Sequence, residues 1–455
     1  MNSGTNGPPE ALRQGSGYSE GYRRFVLLLL LAVSVLNFID RQILAILLEP
    51  IKNEFHLSDT QLGFLTGLSF ALFYSVMGIP LARLADCGNR RNLIAFVVAL
   101  WSGMTALCGL ATGYVSLLVT RIGVGIGEAG STPASASLLS DYFEPARRAT
   151  VLGLQSVGIY IGILLGFLLG GWIGQYFGWR AAFLVVGLPG ILFALVFRFT
   201  VEEPPRGYSE GVTAHLDPPG LGETLRFLWR KRAYRHLPFA AGFYAFVAYG
   251  SMTWAPSFFS RTHGMSTAEI GTWLALTVGI AGGAGCYLGG VISDRIAAAT
   301  GNPRWYVWIP AASVILSIPF VLGMYLWPDP EVALIISTGA WFLGNSWLGP
   351  TFATIQGLAA FRMRALAFAI MMFINNLLGI GLGPLVVGIL SDRLQSSLGG
   401  DSLRYALVLS LVTASVLSAF HFLMAGRTLN EDLERSRVES PHRTAAPLSP
   451  LLTKT

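Results

Sequence analysis

Charge is scarce in this chain: only 12% of its 455 residues are Asp, Glu, Lys or Arg. A soluble domain carries about twice that fraction, so a globular protein with a hydrated polar surface is excluded. Cysteine is scarce too. Cys87, Cys108 and Cys286 are far apart and have no metal-ligand spacing, so neither a disulfide framework nor a metal site is expected. They read as small packing residues. The six histidines form no catalytic constellation, and no GxxxxGK[ST] segment is present, which removes a phosphate-cradling loop. No cofactor is expected. No signal-peptide cleavage site follows the first apolar stretch, Phe25 to Ile51, which is too long for a signal core and reads as a membrane span.

Apolar residues fill the space that charge vacates. The chain is 53% hydrophobic, with a mean hydropathy of +0.57. Its 53 glycines suit helices that pack closely in lipid. Apolar runs near 25–50, 61–85, 92–112, 114–141, 149–174 and 179–200 are followed by others near 238–262, 268–294, 305–327, 332–358, 365–391 and 402–426. At about 20 residues per span these predict an all-α membrane protein of twelve transmembrane helices. The only long polar stretch, 201–236, divides them into six-helix bundles at 23–200 and 237–426. Residues 1–22 and 427–455 read as cytoplasmic tails, the first disordered. The end of the linker, Leu221 to His236, has the pattern of a basic amphipathic helix at the inner membrane surface or of an ordinary connection.

The formal charge of +6 follows membrane topology rather than nucleic-acid binding, because basic residues are scattered between spans. Arg90, Arg91, Arg147, Arg148, the linker, Arg295, Arg304, Arg362 and Arg364 fall on one side. That side is the cytoplasm by the positive-inside rule, with both termini. The halves also repeat: Ser58, Gly63 and Asp86 recur as Ser266, Gly271 and Asp294, each 208 residues on. Gly127-Glu128 ahead of Pro133 likewise matches Gly344-Asn345 ahead of Pro350. Parallel repeats of this kind place a substrate site between them near mid-membrane.

Charges inside spans are costly unless they are paired or hydrated. The first half holds four: Asp40 and Arg41 in span 1, Arg121 and Glu128 in span 4. Asp40 lies roughly 24 Å along its span and Glu128 roughly 20 Å along its own, from opposite sides, so both reach a similar depth. Arg121 and Glu128, nearly two turns apart, share a helix face. Burial favours a neutral carboxyl and a neighbouring arginine favours the ionised one, a balance suited to binding and releasing a proton. The competing reading is a static ion-pair network. The second half offers aromatic and amide groups instead, with Tyr244, Tyr249, Trp254, Asn345, Asn375 and Asn376 joining Asn37 as candidate cavity residues for an amphiphilic solute. Asp86, Arg90, Arg91, Arg147, Arg148 and Asp294 form a candidate cytoplasmic latch between the halves. Glycines 158, 162, 166 and 170 of span 5 mark a close-packing face, assigned to the bundle interface.

The LARLADCGNRR turn and the span 5 glycine ladder followed by FGWRAAF resemble the major facilitator superfamily, over about residues 25–426. NFIDRQ in span 1, RIGVGIGEAG in span 4 and Asn89-Arg90-Arg91 are similar to the bacterial Spinster family. The turn departs from the usual pattern at Ala82, where glycine is common, and at Cys87, where arginine is common. The resemblance implies a major facilitator fold and a proton-linked, alternating-access carrier of lipid-like solutes such as sphingosine phosphate or lysophospholipids. Asp40 and Glu128 would be the protonatable pair, with Arg41 and Arg121 as partners or headgroup contacts. A monomer in a bacterial inner membrane is expected, its partners the solute, protons and the bilayer, with no nucleic acid. A multidrug or organic-anion exporter of the same fold is the rival. A membrane enzyme would need a nucleophile–base or metal constellation that is not seen, and a lipid sensor would need a signalling domain.

Overall fold

In lipid a backbone must satisfy its own hydrogen bonds, so apolar segments of this length become helices. The computed structural model describes residues 18–206, 208, 220–360 and 363–438, and these contain no strand. Arg362 and the tail residues 1–17 and 439–455 lie outside the described residues. Span 1 is Glu20–Ile46, followed by a short helix, Leu48–Phe55; span 2 is Asp59–Cys87 and span 3 Arg90–Cys108. Span 4 comes in two pieces, Tyr114–Glu128 and Ser131–Tyr142. Spans 5 and 6 form one run, Pro145–Thr200, bent where Gly178 adopts φ 83°. A linker helix, Leu221–Trp229, precedes span 7, Arg232–His263. Span 8 is Thr267–Thr300, span 9 Trp305–Leu326 and span 10 Pro330–Leu358, while span 11 runs from Arg364 to Leu398 and span 12 is Ser402–Val438.

The chain therefore crosses the membrane twelve times. Its ends differ from the expected boundaries. Ser19 caps span 1 by accepting from the Tyr22 N–H, so the first helix starts within the predicted tail. Span 12 runs to Val438 because Leu429, Asp432 and Ser436 of the predicted second tail are buried.

Two compact units emerge, and they do not follow the sequence midpoint. The first comprises Met1–His215, Met252–Ile280 and Pro384–Ala406; the second comprises Leu216–Ser251, Ala281–Gly383 and Leu407–Thr455. The end of span 7, the start of span 8 and the end of span 11 thus belong with the first half.

Glycine sets the packing within the first unit. A methyl at Gly158, Gly162, Gly166 or Gly170 would lie within 3 Å of span 1, against Leu31, Phe38, Gln42 and Ile46 respectively. The ladder therefore seats span 5 on span 1 in the same bundle, not at the bundle interface as its spacing suggested. Gly171 and Gly271 approach each other directly, joining spans 5 and 8. Ser58 and Ser266, the repeat-related cap residues, close capping boxes with Gln61 and Glu269. In the second unit Tyr234, Tyr244, Trp347, Leu358, Met371 and Phe422 form part of a continuous apolar core.

Candidate substrate and proton site

Span 4 carries its glycines where neighbouring helices come closest. A methyl at Gly123 would collide with Met104, one at Gly125 would crowd Phe70, and one at Gly127 would lie 2.8 Å from Trp101 Cβ. The helix then breaks after Glu128, and Ser131 Oγ donates to the Glu128 carbonyl at 2.9 Å. Irregular backbone at this depth persists only where protein or a polar cavity surrounds it. Span 10 breaks at the repeat-related place, where Asn345 Nδ2 donates to the Trp341 carbonyl at 2.8 Å.

These packings gather the four charges. Arg41 Nε donates to Glu128 Oε2 at 2.7 Å, and the Glu128 side chain is fully buried. The Arg41 guanidinium lies 5.0 Å from the Phe38 ring and 5.1 Å from those of Phe70 and Tyr74. Such faces attract a cation. Arg121 also lies over Phe70, at 5.5 Å. Asp40 faces Glu128, Arg121, Thr105 and Trp101, and Asn37 lies against Glu128. Asp40, Arg121 and Asn37 are all buried.

Arg121 Nε and Nη1 have no hydrogen-bond partner, while Asp40 with Thr105 and Trp101, and Glu128 with Asn37, face one another without close hydrogen-bond geometry. Buried polar groups are costly to leave poorly paired, and their concentration around two carboxylates and the Arg121 guanidinium makes this a candidate site for a polar guest. Sequence reasoning missed Trp101 and Thr105, because such residues are unremarkable in an apolar helix.

The second-half candidates fall in both units. Trp254 belongs to the first unit, where it is fully buried and donates through Nε1 to the Pro384 carbonyl at 2.9 Å. Tyr244 is buried beside Trp347, facing the Ser317 hydroxyl. Asn375 is buried with Oδ1 unpartnered, and Asn376 opens the π-helical turn Asn376–Leu382 of span 11. Tyr249 is half-buried.

Arg90, Arg91, Arg147 and Asp294 have partners inside their own halves. Arg90 is buried and bonds Asp141, Glu203 at 2.7 Å and the Pro204 carbonyl at 3.0 Å. The Arg91 N–H donates to Glu203 at 2.8 Å. Arg148 donates to the Ser140 carbonyl at 2.8 Å, Arg147 reaches Glu20 at 3.3 Å, and Asp294 accepts from the Tyr306 hydroxyl at 2.7 Å. Asp86 is exposed. Carboxylates at the end of span 4 and just after span 6, Asp141 and Glu203, hold Arg90. Glu202-Glu203 was the available signal.

A second ionic cluster, unforeseen from the sequence, lies beyond the end of span 1, within the first unit. Arg261 of span 7 donates to Glu49 at 2.6 Å and to both Asp59 oxygens, at 2.7 and 2.8 Å. Lys52 and Ser391 also donate to Asp59, at 2.5 and 2.6 Å. Asp392 of span 11 accepts from the Asp59 and Thr60 N–H groups at 3.0 and 2.8 Å, capping span 2 as a carboxylate should.

Twelve helices, a repeat and a mid-span charge cluster find a match among known families: the model of the Major Facilitator Superfamily covers residues 30–384. The chain belongs to the Major Facilitator Superfamily. It is an integral membrane transporter and not an enzyme. An MFS-type efflux pump of Mycolicibacterium smegmatis (strain ATCC 700084 / mc(2)155) is 33% identical over 404 residues, spanning 88% of this chain and 92% of that protein. Protein spinster homolog 1 of Rattus norvegicus is 27% identical over 417 residues, 85% of this chain and 76% of its own. The crystal structure of a bacterial homolog of the human lysosomal transporter Spinster, inward-facing and unoccupied, superposes with a TM-score of 0.82 at 33% identity, covering 91% of this chain and 99% of that one. The superfamily member described here thus resembles Spinster proteins in both sequence and fold.

Proposed function

We propose that this transporter is a proton-coupled, alternating-access carrier of an amphiphilic solute with an anionic head, of lysophospholipid or sphingoid type. The observation that carries this reading is Arg121. Its guanidinium is buried with two nitrogens unpartnered, beside two carboxylates and a second arginine. A charge so enclosed is retained in a span for a pathway. Protonation of Glu128 removes the charge paired with Arg41, so that the Arg41 and Arg121 guanidiniums together form a receptor for a phosphate or carboxylate head. Deprotonation restores the ion pair and expels the head. Proton and solute are thereby linked through one group.

The Arg261 cluster closes the external side in this scheme, and the arginine-rich side with both termini is cytoplasmic, in a bacterial plasma membrane. A multidrug or organic-anion exporter is the second reading, favoured by the name of the mycobacterial relative. Proteoliposomes holding the purified protein, a pH-sensitive dye and a panel of lysophospholipids, phosphorylated sphingoid bases and lipophilic drugs decide the matter. Proton flux dependent on a lysophospholipid or a phosphorylated sphingoid base supports the first reading, and flux dependent on drugs alone supports the second. Solute movement without protons overturns coupling.

A further inference from the structure

The linker helix Leu221–Trp229 is anchored along one face. Thr224 and Leu228 are fully buried, and the helix packs on the start of span 11. Lys231 follows it into the interior, its ammonium 4.0 Å from the Phe227 ring, donating to the Leu358 carbonyl at 2.9 Å and to Ser436. Asp432 accepts from the Ala233 N–H at 2.7 Å. Arg235 Nε donates to the Trp229 carbonyl, closing the helix end. All of these groups lie in the second unit, so the opposite face has a fixed direction.

That opposite face carries Leu225 and Trp229, 36% and 47% exposed. Around them stand Arg226, Arg230, Arg232 and Arg235, all exposed, against one acid on the segment, Glu223. We propose that this face docks on the anionic headgroups of phospholipids in the leaflet nearest the chain termini. Charge selects an anionic partner. Position selects a lipid, because span 7 begins at Arg232 and holds the helix at headgroup depth, where tryptophan anchors. The arginines take phosphate oxygens, while Leu225 and Trp229 enter the boundary with the acyl chains.

Hydrogen exchange of the linker-helix amides in the full chain tests this, in nanodiscs of phosphatidylcholine alone and with phosphatidylglycerol added. Exchange is expected to be about tenfold slower with phosphatidylglycerol at low salt, the difference shrinking as salt rises. A variant carrying Arg226→Gln, Arg230→Gln and Arg232→Gln, with Arg235 retained as the helix cap, should exchange alike in both lipids. Equal exchange of the wild type in the two lipids, or protection that survives in the variant, overturns the proposal. The wild-type salt titration stands even if the variant folds poorly.

Discussion

Glu128 is enclosed completely and Arg41 nearly so, which makes each the other's main source of stability at that depth. Arg41→Ala leaves a buried carboxylate without its partner and should cost about 3 kcal/mol, read as a lower unfolding temperature of the purified protein. Glu128→Gln and Asp40→Asn keep the shape and remove the titrating group, so both should fold and both should lose proton-coupled uptake. Coupled flux at the wild-type rate in both would remove these residues from the proton pathway. Thr105→Val takes away a hydroxyl facing Asp40 and should slow coupled uptake about threefold, the worth of a poorly aligned hydrogen bond, with the fold retained. The four charges were legible in the sequence because lipid makes each one expensive. Trp101 and Thr105 were not, since neither costs anything in an apolar helix until a carboxylate is packed beside it.

At the scale of elements, the glycines decide which helices touch. A methyl at Gly63 would stand 2.5 Å from the Pro384 carbonyl oxygen and 2.9 Å from Leu385 Cα, and one at Gly271 would stand 2.4 Å from the Phe167 carbonyl oxygen. All three contacts are backbone, which cannot rotate away as a side chain can. Gly63→Ala should therefore loosen the packing of span 2 on span 11. A cysteine placed at Thr60 should then react several-fold faster with a membrane-impermeant thiol reagent than in the Gly63 background. Unchanged labelling would show that the two backbones can separate without opening this face. The span 5 ladder teaches the same lesson from the other direction. Its four-residue spacing announced a close-packed face, but which helix meets that face depends on side chains elsewhere, and span 1 supplies the fitting ridge.

Across the whole molecule, Arg261 links the end of span 7 to Glu49 after span 1 and to Asp59 at the head of span 2. Arg261→Ala should lower stability by about 2 kcal/mol, less than the loss of an isolated buried pair, because Lys52 still neutralises Asp59. It should also raise the share of molecules open on that face, measured by distance distributions between spin labels on spans 2 and 11. An unshifted distribution would assign the cluster a purely static role.

The sequence by itself determined the number of spans, the repeat, the four interior charges and the side on which arginine accumulates. Each of these rests on the price of polar groups in lipid, which every residue meets alone. Only the tertiary structure decided the partners: Arg90 with Asp141 and Glu203, Arg261 with Glu49 and Asp59, and Trp254 with the Pro384 carbonyl. Arg261 and Asp59 stand 202 residues apart, each near a loop where charge is cheap. Their meeting follows from how helices pack, which no local pattern records.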